Sequence, residues 1–162
     1  MKIGTHERNI KITQTFFEKH INEDIIDANV DIHLNIIRDE TMLVLKFDIH
    51  GNLISQCDIC LDNVTIAVSA KEDLILKIVE KPQESDDENV VFITDKDKMY
   101  NIEQFVYESL ILMLPMRKVH SGQGNDKCDP TMLDLIEKAA QTKNESQIDE
   151  RWSALKNIKF ED

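Results

Sequence analysis

The sequence predicts an α+β fold: a curved antiparallel sheet or open barrel of short strands, closed by one main helix and followed by a C-terminal helix and a short tail. The first observation behind this prediction is that apolar and polar residues alternate through the first half of the chain, as in half-buried strands. The second is that the apolar period becomes helical from Asn101 onward. The third is a stretch between two strands, residues 56–62, that holds two of the three cysteines.

The alternation of apolar and polar residues predicts the strands. The clearest pair is separated by a polar segment, residues 38–41, so we expect these two strands to form a hairpin. Gly51-Asn52 is a typical turn signal and predicts the end of the second of them. In chain order the predicted strands cover residues 9–13, 30–36, 43–49, 64–68, 74–78 and 90–93, with a short helical turn around Phe16 and Phe17.

Two helices follow the strands. Asn101 is a suitable N-cap and Pro115 stops the apolar run, so the main helix is predicted between them. Asp129 is a second N-cap and is followed by Pro130, a residue favoured at the first helical position. The second helix is therefore predicted to begin at Pro130 and to run through Ala140.

Residues 1–162 are predicted to form one domain, because a chain of this length with 41% hydrophobic residues supports a single core. Within it we expect an acidic surface loop at residues 80–89 and a polar linker at residues 141–148. A C-terminal tail follows at residues 149–162. Its Trp152, Leu155 and Ile158 predict a short amphipathic segment that buries these side chains.

Charge and motifs exclude several functions. The chain has 31 acidic and 19 basic side chains, a net charge of −12 that disfavours non-specific binding to phosphate backbones. No apolar run is long enough to span a bilayer and no signal-peptide core is present, so we expect a cytoplasmic protein. Because the sequence has no Gly-rich phosphate loop, nucleophile elbow or His-Glu-x-x-His motif, we expect neither an enzyme nor a small-molecule substrate.

The cysteines predict a metal site. Cys57 and Cys60 form a Cys-x-x-Cys pair, the usual first half of a structural zinc site. The second half must come from elsewhere, and Cys128 with the nearby His120 completes the candidate set. Zinc bound by Cys57, Cys60, His120 and Cys128 would require the four ligand atoms to lie within about 4 Å of one another.

Other interpretations of these residues stay open. Three partly buried thiols and a surface imidazole would need no metal. Cys57 and Cys60 could also serve a thiol-dependent oxidoreductase, although the pair lies between two strands and lacks the helix N-terminus that lowers a thiol pKa. Arg117 and Lys118, a basic pair close to the candidate site, could contact phosphate or could simply be exposed.

Four motifs follow one another along the chain: Cys57-Asp58-Ile59-Cys60-Leu61, Leu114-Pro115 leading to Val119-His120, Cys128 ahead of a helix, and residues 149–156. In the order and spacing of these motifs the chain resembles the YceD family, named for large ribosomal RNA subunit accumulation, from about Phe16 onward. Many relatives carry additional cysteines after the main helix, whereas this chain has only Cys128 there. They often also have an opening strand before residues 3–6, so the resemblance implies that this chain is short by one N-terminal element.

The resemblance implies a non-enzymatic role in producing or retaining the large ribosomal subunit. It implies as partner a ribosomal protein or a large-subunit assembly intermediate. Because the chain carries a net charge of −12, a basic ribosomal protein is the expected direct partner rather than bare ribosomal RNA. Direct contact with RNA stays open.

Overall fold

A computed structural model of the chain describes residues 2–20, 24–81, 83, 85–87, 89–94, 96–97, 99–124 and 126–143. Residues 144–148 of the predicted linker and the whole predicted tail lie outside the described residues. The elements confirm the α+β class. In chain order they are β1 (Gly4–Thr13), α1 (Gln14–Phe17), β2 (Ile25–Arg38), β3 (Met42–Gln56), β4 (Asn63–Val79), β5 (Val90–Thr94), α2 (Glu103–Leu112) and α3 (Pro130–Lys143).

The five strands form one sheet in the order β1-β2-β3-β4-β5. Strands β1 to β4 pair antiparallel, which confirms the predicted hairpin of β2 and β3. β5 instead runs parallel to β4, because it begins at Val90 beside Ile75 and ends at Thr94 beside Val79, the last residue of β4. The sheet is therefore mixed rather than wholly antiparallel, and it is open, with β1 and β5 at its edges.

All five strands are longer than the alternation of apolar and polar residues predicted, and the differences are largest in β3 and β4. The predicted strands 64–68 and 74–78 are two parts of the single strand β4, and β3 continues through the predicted turn at Gly51-Asn52. The turn prediction is wrong because Gly51 lies inside the sheet, between Val30 of β2 and Val68 of β4. A Cβ atom on Gly51 would lie 2.5 Å from Val30 Cα and even closer to the carbonyl oxygen of Asn29. Glycine therefore allows β2 to approach closely here and does not mark a chain reversal.

The core lies on one face of the sheet, because alternate residues of the long strands are buried. Helix α2 packs into this core with Val106 and Leu110, and its Phe105 ring lies 5.1 Å from the ring of Phe47. Phe17 of α1 is buried in the same core. The fully buried strand residues include Val30, Ile32, Phe47, Ile49, Leu53 and Leu74.

Both predicted helices are present. The N-cap position of α2 is Ile102, one residue after the predicted Asn101, but the Asn101 side chain still accepts the Glu103 N–H at 2.9 Å. Helix α3 begins at Pro130 as predicted, and the Asp129 carboxylate accepts the Thr131 N–H at 3.0 Å. It continues through Lys143, so the predicted linker 141–148 is helical in its first part, because those residues include no proline or glycine to end the helix. None of the described helices is both long and apolar enough to cross a membrane.

Candidate metal centre

A tight turn between β3 and β4 holds Cys57 and Cys60; residues 57–62 are called the thiol turn below. The Cys57 N–H donates to the Asp62 carbonyl at 2.8 Å, and the Leu61 N–H donates to the Cys57 carbonyl at 3.0 Å. Leu61 has a φ of 66°, a left-handed conformation that costs about 1–2 kcal/mol for a residue with a side chain. Such conformations persist where the surrounding structure fixes them, and they are concentrated at functional sites.

Two hydrogen bonds join the thiol turn to the loop after α2. The Asp58 N–H donates to the Lys118 carbonyl at 2.7 Å, and the Lys118 N–H donates to the Asp58 carboxylate at 2.6 Å. The Lys118 ammonium group also lies 2.7 Å from Asp24, and its side chain is only 17% exposed. Lys118 is therefore part of the support of the turn rather than an exposed phosphate-contacting group, whereas Arg117 is exposed.

Cys128 enters the site from the start of α3. Its Sγ atom lies 3.9 Å from the Sγ atom of Cys57. The surrounding residues form a second, smaller apolar cluster, in which Ile59, Val119 and Met132 pack around the buried Cys57, Cys60 and Val64. The turn, the loop and α3 therefore meet at one place.

The structure brings together all four residues that the sequence singled out. One ligand atom from each of Cys57, Cys60, His120 and Cys128 lies within 4.8 Å of the other three. This spread is somewhat wider than the predicted 4 Å. The 3.9 Å between the sulfurs of Cys57 and Cys128 is close to the roughly 3.8 Å expected for two thiolates on one tetrahedral zinc ion.

His120 has the hydrogen bonding of a metal-binding histidine. Its Nδ1 atom lies 2.7 Å from a carboxylate oxygen of Asp126, and its side chain is 8% exposed. An ionised carboxylate only accepts hydrogen bonds, so Nδ1 is the donor in this bond and Nε2 is the ring nitrogen left to bind a metal ion. Nε2 is buried and has no hydrogen-bond partner within the described part of the chain. A carboxylate that orients a histidine in this way is typical of metal sites.

Asp126 was not singled out from the sequence. The available signal was an acidic residue between His120 and Cys128, but acidic side chains are too frequent in this chain to identify one of them. The carboxylate also accepts hydrogen bonds from Ser121, one of them from its backbone N–H at 2.7 Å. The hydrogen bonds from Ser121 and His120 lower the pKa of Asp126 to about 2, so it is ionised at neutral pH.

The thiols of the cluster differ in pKa. Burial raises the pKa of Cys57, but hydrogen bonds from the backbone of Cys60, Ile59 and His120 outweigh this and lower it to about 6. Burial raises the pKa of Cys128 to about 11, together with its hydrogen bonds to the other two sulfurs. Backbone donors directed at a sulfur stabilise the thiolate, which is the form that binds a metal ion.

The arrangement gives no support to the thiol-dependent oxidoreductase. The thiol turn leads into β4 rather than into a helix, so its own segment does not supply the helix N-terminus of redox Cys-x-x-Cys pairs. Cys57 is 0% and Cys60 3% exposed. Reactive cysteines are usually partly exposed, and these two thiols are closed off from a protein substrate.

Fold and site together define an α+β protein in which a three-cysteine, one-histidine cluster joins a strand-to-strand turn to the start of a helix. The chain belongs to the YceD family: the family model described as "Large ribosomal RNA subunit accumulation protein YceD" matches residues 45–159. The match confirms the resemblance seen in the sequence and includes all four residues of the cluster. Comparisons with curated proteins and with solved structures found no match. The family's name indicates a role in the accumulation of large ribosomal subunit RNA.

Proposed function

We propose that the protein is a non-enzymatic factor of the cytoplasm that supports large ribosomal subunit RNA accumulation by binding a ribosomal component, with a zinc ion stabilising its fold. The observation that carries the proposal is the family match over residues 45–159. Residues 1–162 are proposed to act as one domain. In support, β1 and β2, both of which precede the match, belong to the same sheet as β3 and β4.

Zinc suits the donor set of the cluster. Three thiolates and one imidazole fill the four positions of a tetrahedral zinc ion, the arrangement of structural rather than catalytic sites. Soft sulfur donors favour zinc over magnesium or calcium, which prefer oxygen ligands. The proposed ion bound by Cys57, Cys60, His120 and Cys128 would tie together the thiol turn, the loop after α2 and the start of α3.

The role of Asp126 can be tested through metal affinity. Asp126→Ala should weaken zinc binding by about 10- to 100-fold, the usual effect of removing the group that orients a metal-binding histidine. Affinity is measured by competition with a chromophoric chelator. Asp134→Ala is the matched control, because it removes the same charge from an exposed carboxylate whose ion pair is with Lys138 of α3. Equal zinc affinity in the two variants would remove Asp126 from the proposed site.

The choice of partner can be tested through salt dependence. With 31 acidic and 19 basic side chains, the protein should bind a basic large-subunit protein, and its affinity should fall as salt rises. The attraction between opposite net charges is screened over ~8 Å at physiological ionic strength. Protein-free ribosomal RNA should bind weakly, because an acidic protein gains little from the release of counterions.

The comparison is made with purified large-subunit proteins and protein-free ribosomal RNA in one buffer at several salt concentrations. Purification of the tagged protein from growing cells, with identification of the proteins and RNA that come with it, tests the proposed function directly. Enrichment of large-subunit components would support it. Tight and specific RNA binding without a protein partner would overturn the proposed mechanism, and absence of large-subunit components would overturn the function itself.

A further inference from the structure

Strand β1 is a long, regular edge of the sheet. It has 10 residues, against about 5–6 in a typical strand. It pairs with β2 residue by residue, from Gly4 opposite Arg38 to Thr13 opposite Asn29, without a bulge or a proline. Short length, bulges and prolines are among the usual features that keep a free edge from pairing with another chain. Among the described residues no strand pairs with the outer side of β1, so this edge can accept one.

The hydrogen bonds of the sheet show which backbone groups of β1 face outward. At the β2–β3 hairpin the Asp39 N–H donates to the Met42 carbonyl at 2.9 Å, so odd-numbered residues of β2 bond to β3. Bonding alternates along an antiparallel strand, so even-numbered residues join β2 to β1. The odd-numbered residues within 5–13 therefore direct their N–H and C=O groups away from the sheet. Consistent with this, the Glu7 carbonyl accepts a hydrogen bond from the exposed Arg8 guanidinium group at 2.9 Å.

The opposite edge of the sheet is less suited to pairing. Strand β5 has only 5 residues. At its start the Val90 N–H donates to the Asp87 carbonyl at 3.1 Å. At its end the Thr94 N–H donates to the Asp97 carboxylate at 2.8 Å. Both ends of this short strand are thus hydrogen-bonded within the chain, so β1 is the edge that favours a further strand.

We propose that β1 pairs antiparallel with β1 of a second copy of the chain, which joins two sheets across a two-fold axis. Outward-facing residues must then lie opposite outward-facing residues. The register centred on Asn9 places Glu7 opposite Lys11 of the second copy, on both sides of the axis. It also places Thr5 opposite Thr13. Opposite charges and pairs of threonines are both favourable directly across an antiparallel pair.

The side chains select this register. A shift of two residues in either direction places Glu7 opposite Asn9 or Thr13 and removes both charge pairs. On the core side, Ile10 is half-buried against the main core. In the register centred on Asn9 the two copies of Ile10 are diagonal neighbours, about 7–8 Å apart, which is within reach of long side chains. The pairing therefore also continues the apolar core across the axis.

Local charge permits the pairing although the whole chain is acidic. Residues 4–13 contain one acidic and two basic side chains, so β1 is not acidic itself. Repulsion between more distant acidic groups of the two copies is screened over ~8 Å at physiological ionic strength. Charges on an edge strand usually oppose pairing, but here Glu7 and Lys11 attract each other. The pairing goes beyond the proposed function, and it requires neither a ribosomal partner nor a bound metal ion.

Charge reversal tests the pairing. Sedimentation equilibrium of the full-length protein should show a dimer that forms as concentration rises. Glu7→Lys and Lys11→Glu should each raise the dissociation constant about tenfold, because each places like charges opposite each other at both pairs. An equal mixture of the two variants should restore association, because opposite charges meet again in the mixed dimer. Glu137→Lys is the matched control: it changes the net charge equally at an exposed glutamate of α3.

Cross-linking tests the register. Asn9→Cys should form an intermolecular disulfide under mild oxidation, because Cα atoms in a hydrogen-bonded pair lie about 5.5 Å apart, a distance that a disulfide spans. Thr5→Cys is the control. In the proposed register the two copies of Thr5 lie eight residues apart along the strands, which is roughly 27 Å at about 3.4 Å per residue. This variant should stay uncross-linked.

Three results would overturn the pairing. The first is a protein that stays monomeric at the highest concentration at which it is soluble. The second is a mixture of Glu7→Lys and Lys11→Glu that associates no better than either variant alone, with both variants folded by circular dichroism. The third is equal cross-linking of Asn9→Cys and Thr5→Cys. Zinc content and partner binding are measured on the same samples, so failure of the pairing is distinguishable from failure of the proposed function.

Discussion

Cys57→Ser should abolish stoichiometric zinc binding and lower the melting temperature by about 10 °C. Cys57 is fully buried, lies 3.9 Å from Cys128 and accepts hydrogen bonds from the backbone of three residues, so no other side chain can replace its sulfur. Loss of a structural metal is among the few changes that cost about 4 kcal/mol or more, and each kcal/mol shifts the melting temperature by about 2–4 °C in a domain of this size. The sheet should remain folded, because most of its core lies outside the cysteine cluster.

Metal analysis and calorimetry measure the two effects. The unmodified protein should contain close to one zinc per chain, and its thiols should react with a thiol reagent only after a chelator removes the metal. Leu74→Ala is the control for destabilisation alone: Leu74 lies in the main core, so the variant should lose about 2–5 kcal/mol yet keep its zinc. Metal-free protein as purified, or a Cys57→Ser variant that melts like the unmodified protein, would remove zinc from the proposed function.

Gly51→Ala should lower the free energy of unfolding by about 3 kcal/mol. The new Cβ atom would lie 2.5 Å from Val30 Cα and closer still to the Asn29 carbonyl oxygen. Both are backbone atoms of β2 and cannot rotate away as a side chain can, so the pairing of β2 with β3 must open locally. At a position with free space and a backbone conformation that alanine adopts without strain, the same change would instead stabilise the protein by about 0.4–1 kcal/mol through the unfolded state. The sign of the change in the free energy of unfolding is therefore informative.

Denaturation by urea measures this loss of stability. Asn52→Ala is the control, because Asn52 is the next residue of β3 and its side chain is exposed. Its change in the free energy of unfolding should stay within about 0.5 kcal/mol. Zinc content should be unchanged in both variants, since the substitutions lie in the strand and outside the cluster. A Gly51→Ala variant as stable as the unmodified protein would mean that β2 and β3 are farther apart than in the structure.

The strands and helices followed from the sequence to the extent that they depend on local patterns. Alternation identified the buried face of β2, where Val30, Ile32 and Leu34 are all buried. The proline after Asp129 identified the start of α3. Local patterns gave a wrong prediction at Gly51, because a glycine required for close approach of two strands has the same local signal as a glycine in a turn. The direction of β5 also had no local signal, since it depends on the path of residues 80–89.

The sequence by itself determined the chemistry of the site: three thiols and an imidazole are the donors that zinc prefers, and side-chain type is a local property. Only the tertiary structure decided that these donors meet, because Cys60 and His120 are far apart in the chain and the Asp58–Lys118 hydrogen bonds bring their segments together. It also decided which of many carboxylates, Asp126, orients His120. Apolar periodicity and the type of donor side chain can be recognised within a few residues of sequence. Contacts between distant segments depend instead on the fold of the whole chain.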